Sequence, residues 1–131
     1  MEFAFPWPVS FGEWLAWSCA VITIVLGLFL MFAPTSGLRI YRLQTLPGHP
    51  EAVASARGNM AGFLLGIGLS CVLLAQPLLY LALGLSWALT AFGRLVSMLS
   101  DDGNTLYNWL SLVIEIGLAL LALLFAFGLV P

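Results

Sequence analysis

Glu115 stands inside the apolar run "LVIEIGLALLALL", and Arg57 and Arg94 stand inside two others. A carboxyl in such a setting is costly, faces the interior of its protein and has a partner. Arginine suits that partnership, because it stays charged and can fork onto a carboxylate. Asn59, Ser97, Asn108 and Ser111 fall at depths where they can complete a polar cluster with the three charges. Two uses follow for such a cluster. It can staple helices together, or it can wall a polar pocket for a lipid headgroup, a small molecule or a proton.

Other chemistries are poorly provided for. The single histidine, His49, lies beside Glu51 in a connecting segment, and a metal site needs three or four ligands. Cys19 and Cys71 fall in separate apolar runs, where packing as small hydrophobes is the expected state and no disulfide can be deduced. There is no phosphate-cradling glycine loop after a strand and no credible nucleophile triad. No metal or cofactor is expected, and a self-sufficient enzyme is disfavoured. One carboxylate does not line a pore.

The elements that hold these residues follow from composition. Of 131 residues, 62% are hydrophobic and 8% charged. A soluble domain carries about 25% charged residues, so a bilayer is the expected solvent. Four spans of about 20 residues use up the chain. They are expected at 11–32, 52–75, 77–99 and 104–128, as one all-α four-helix bundle covering 1–131. "APTSG" stops the first, "QP" at Gln76 and Pro77 joins the second to the third, and "SDDGN" precedes the fourth, with Asn104 as its cap. The opening "MEFAFPWPVSFGEW" lacks the positive region of a secretory signal, so the first span is expected to be retained.

Four spans place both termini on one face. Arg39, Arg42, Arg57 and Arg94 all lie on or near the other, whereas Glu2 and Glu13 are on the terminal side. The positive-inside rule then puts the 33–50 linker in the cytoplasm and both termini outside. Trp7, Trp14 and Trp17 suit an outer aromatic belt, and Tyr107 and Trp109 an inner one. In the linker, "LRIYRLQTL" spaces Arg39 from Arg42, and Ile40 from Leu43 and Leu46, by three. That allows either a short interfacial helix with its arginines on lipid phosphates or an irregular loop. With no lysine and a net charge of −2, nucleic acid is excluded as a partner.

The second span carries Ala54, Gly58, Gly62, Gly66 and Ser70 at intervals of four. Small residues let helices approach closely in lipid, where little hydrophobic force drives them together. This stripe is expected to be a docking face, first for a neighbouring span of the same chain and otherwise for a second copy, another protein or a lipid. Matching stripes are Ala16, Ala20, Thr23 and Gly27; Tyr80, Gly84, Ala88 and Ala91; and Asn108, Ser111, Glu115, Ala119, Ala122 and Ala126.

The stretches "ARGNMAGFLLGIGL", "FGRLVSMLSDDG" and "LVIEIGLALLALL" resemble a group of small bacterial four-helix inner-membrane proteins with a domain of unknown function, DoxX-like in outline. The resemblance covers about residues 34–124, and its more specific parts are Gly93–Ser97 and Asp102–Gly103. It implies four spans and the cluster of Arg57, Arg94 and Glu115, and it brings no activity with it. The expected function is therefore that of a non-enzymatic accessory subunit of a larger bacterial membrane complex, in contact with membrane lipids or a quinone. The alternative is a stand-alone protein binding a lipid or small molecule at Arg57, Arg94 and Glu115. An enzyme using Glu115 as acid or base ranks last.

Overall fold

The computed structural model describes residues 6–43, 47–48 and 50–130, except the side chain of Ala52. Glu2, Leu46 and His49 lie outside the described residues. Among those described, the fold is all-helical: α1 (Phe11–Phe32), α2 (Pro34–Ile40), α3 (Glu51–Ser55), a π-helical turn (Ala56–Met60), α4 (Ala61–Leu74), α5 (Pro77–Ser100) and α6 (Leu106–Ala126). Four helices, Phe11–Phe32, Val53–Leu74, Pro77–Ser100 and Leu106–Ala126, are long and apolar enough to cross a bilayer. By that length and composition the chain is a multi-pass membrane protein.

The ends of the helices follow local chemistry. Ser10 opens α1 through a capping box: its hydroxyl accepts from the Glu13 N–H at 3.2 Å, and the Glu13 carboxylate reaches back to the Val9 N–H at 3.4 Å. At α6 the cap is Thr105, whose hydroxyl accepts from the Asn108 N–H, so the helix starts after Thr105 and Asn104 is not its cap. "APTSG" ends α1 at Phe32 as expected, but helical structure resumes at once. Ala33 makes a corner, and Pro34, well suited to a first helical position, starts α2. Gly37 then packs so closely on Leu30 that a Cβ there would lie 2.8 Å from a Leu30 methyl. The linker thus contains a helix, earlier than the "LRIYRLQTL" spacing suggests. It ends at Tyr41, and Arg42 adopts a left-handed conformation (φ 57°).

Around the bundle, α4 packs on α1, α1 on α6 and α6 on α5, with a lighter contact from α5 back to α4. The core between them is made of small residues and a few large ones: Ala16, Cys19 and Ala20 meet Cys71, Leu83, Trp87, Leu118 and Ala122. Both cysteines are free and buried. Thr23, fully buried, accepts from the Trp87 indole N–H at 2.9 Å and donates to the Cys19 carbonyl at 2.8 Å. Large apolar side chains such as Phe63, Leu78 and Leu99 face outward, as expected where lipid is the solvent.

The glycine stripe departs from its expected role. Gly58, Gly62 and Gly66 are exposed, and a Cβ added at any of them would meet nothing within 4 Å. The face of this span that packs inward runs through Ala56, Ala61, Gly68, Cys71 and Val72. A π turn lies on that inward face. The Ala61 N–H bonds the Ala56 carbonyl, five residues back, and the two alanines bury together against Leu30 and Leu38. A repeat of four identifies residues that share a face but not which way that face turns, and here it turns outward. Within the spans, glycines that do admit a neighbour include Gly27 against Leu65, Gly68 against Ile24 and Gly84 against Leu123.

Candidate functional site

The expected polar cluster forms around Arg94, on α5, and Glu115, on α6. The guanidinium forks onto the carboxylate: Nε donates to Oε1 at 2.7 Å and Nη2 to Oε2 at 3.1 Å. Nη1 donates to Asn108 Oδ1 at 2.8 Å. Asn108 in turn donates through Nδ2 to the Gly103 carbonyl at 2.7 Å, tying the ion pair to the α5–α6 turn. Gly103 matters to that turn, since a Cβ would sit 3.0 Å from the Ser97 carbonyl oxygen. Glu115 is only 4% exposed. It lies nine residues into α6, about 13 Å along the axis, close to half the thickness of a bilayer core.

Other residues expected in the cluster fall elsewhere. Ser97 donates to the Asp101 carboxylate at 3.0 Å and so serves the turn. Ser111 lies beside the pair. Arg57 and Asn59 do not join it. Both are exposed on the π turn, which packs against α1 and α2 and not against α5 or α6. The staple therefore joins the third and fourth spans only, and the second span is positioned by packing on α1. Arg39 is exposed at the end of α2, where a lipid phosphate can reach it. Arg42 is shared, because its guanidinium lies 4.7 Å above the Tyr107 ring.

Three aromatic residues belong to the site although nothing in their residue types announced it. Tyr107, expected in an interfacial belt, donates its hydroxyl to the Ile40 carbonyl and stacks beneath Arg42, with Arg94 5.9 Å from its ring centre. Trp87 and Tyr41 complete the wall. The α6 signal was present, since Tyr107, Ser111 and Glu115 repeat every four residues. Trp87 was readable in the same way, in line with Ala91, Arg94 and Met98 on α5. Tyr41 was not, because its place depends on how α2 folds back. Burial, reinforced by the Glu115 carboxylate and Tyr107, pushes the Tyr41 phenol above its ordinary value of 10.0, against a smaller opposing effect of Arg94. Its hydroxyl stays neutral at physiological pH and can both donate and accept.

Two hollows share Arg94 as a wall. One, of about 160 Å³, is bounded by Tyr41, Trp87, Arg94, Tyr107, Ser111 and Glu115 together with Leu26, Ile40 and Ile114. The other is a groove of about 400 Å³ along Leu89, Thr90, Gly93, Ser97 and Asn108.

Fold and site define a class: a small four-span membrane bundle with an ion pair between its third and fourth spans at the edge of a recess. The chain belongs to the family defined by a domain of unknown function, DUF4345, whose model matches residues 12–126, from the start of the first span to the end of the last. No curated protein and no solved structure matches it.

Proposed function

We propose that the chain is a non-enzymatic protein of the bacterial inner membrane, DoxX-like in outline, that holds the polar head of a lipid-soluble small molecule beside Arg94 and Glu115. One observation carries this proposal. The ion pair is satisfied within the protein, yet a hollow containing further polar groups is kept open beside it. A purely structural staple needs no adjoining space, and lipid-facing bundles close such space by packing. The arginine-rich end would face the cytoplasm and both termini the periplasm, so the recess would open toward the inner leaflet.

The test is native mass spectrometry after purification in mild detergent. A small molecule retained on a lone protomer, and lost in an Arg94→Met/Glu115→Leu variant that still folds, is the expected result. A wild-type protomer that carries nothing, in detergent conditions that preserve other lipid complexes, rejects the proposal.

A second function is favoured by a separate observation. The outward stripe of Gly58, Gly62 and Gly66, with open space above each, suits an accessory subunit docked on other membrane proteins. Co-migration of larger subunits in the same experiment, abolished by Gly62→Val, supports it.

A further inference from the structure

We infer that the 160 Å³ recess takes one flat, uncharged, six-membered ring bearing one or two oxygen atoms, as in the head of a benzoquinone-type lipid. This rests on the binding function proposed above and specifies its ligand.

Size sets the first limit. Pockets for drug-sized ligands hold about 300–1,000 Å³. A cavity of about 150 Å³ in another protein holds a single benzene ring. The recess matches the second figure, so its volume suits one ring better than two fused rings.

Charge sets the second. Among the residues that line the recess the two charges, Arg94 and Glu115, cancel each other, so neither a phosphate nor an ammonium head finds an uncompensated partner on its wall; Arg42, over the Tyr107 ring, is not one of those residues. Two or more free hydroxyls per ring edge, as in a sugar, are also excluded, because Leu26, Ile40, Trp87 and Ile114 form an apolar part of the wall.

The remaining polar groups define what the ring must carry. Arg94 uses three of its five N–H groups on Glu115 and Asn108. The hydroxyls of Tyr41 and Ser111 make no hydrogen bond to the described residues. One or two ring oxygens can therefore be met by donors already on the wall. Trp87, buried at the floor, and Tyr107 offer aromatic surface to the ring. Ile40 and Ile114 on the wall are 51% and 62% exposed, so an apolar tail passing beside them would run out into lipid.

The experiment is thermal unfolding of the full chain in detergent, titrated with a benzoquinone carrying a ten-carbon tail. Parallel titrations use a naphthoquinone with the same tail, decane, and a phosphatidylglycerol. The expected result is a saturable rise in Tm with the single-ring probe alone. Ser111→Leu, which places a larger apolar side chain on the recess wall and keeps both Arg94 and Glu115, should weaken the effect at least tenfold. Tyr41→Phe, which keeps the shape and removes one hydroxyl, should weaken it about three- to tenfold. A single-ring response no larger than that to decane overturns the inference, as does an undiminished response in both variants. If phosphatidylglycerol stabilises and the ring does not, the ring inference fails while binding of a polar head at Arg94 stands.

Discussion

The ion pair of Arg94 and Glu115 is a burial cost offset by geometry. Taking both charges out of water is expensive, and the fork onto Glu115 plus the Asn108 bond restores much of what is lost. Removing the carboxylate leaves the part-buried guanidinium with Asn108 as its remaining partner. Glu115→Gln should therefore lower stability by about 1–3 kcal/mol, and Arg94→Met/Glu115→Leu should recover most of that loss. Glu13→Gln, at the exposed capping box, keeps a side chain able to reach back and should cost much less. Thermal unfolding in one detergent measures all three. Equal losses in Glu115→Gln and Glu13→Gln would contradict a buried pair.

Among the helices, glycine has two different uses. Gly68 and Gly84 are sites of close approach, where a Cβ would fall 2.6 Å from Ile24 and Leu123 and about 3.3 Å from backbone atoms of the facing helix. The neighbouring side chains can move, but the backbone atoms cannot. Gly62 opens on nothing within the chain. Gly68→Val should destabilise the isolated protein by about 1–3 kcal/mol, and Gly62→Val by less than about 0.5 kcal/mol. Unfolding titrations with a denaturing detergent separate the two. Similar losses would mean that the glycine stripe packs inside the bundle after all. The distinction could not be read from spacing, because a repeat of four says which small residues share a face and not whether that face turns toward the bundle.

For the molecule as a whole, the linker and the α5–α6 turn share one end. Tyr107, at the start of α6, bonds Ile40 at the end of α2, and Arg42 covers its ring. Single cysteines at Arg39 and Asp102, in a chain whose buried Cys19 and Cys71 are replaced, should label from the same side of the membrane. Cysteines at Val9 and Leu129 should label from the opposite side. In intact cells and inverted vesicles, the proposed orientation puts the first pair in the cytoplasm. Labelling of Val9 and Leu129 from opposite sides would be incompatible with four spans.

Four helices, their near-exact limits and a mid-membrane carboxyl paired with arginine were all legible in the residues, because hydropathy and charge cost act locally along the chain. Which arginine, which face and which aromatic rings were settled only by the packed bundle. Arg57 and Arg94 are equivalent in a one-dimensional count of depth, yet of the two spans that carry them it is α5 that packs on α6. Tyr41 reaches the recess because Pro34 and Gly37 fold α2 back over it. Contacts between distant segments depend on rotation about each helix axis, and a π turn or a corner of one residue changes that rotation while leaving composition and period almost untouched.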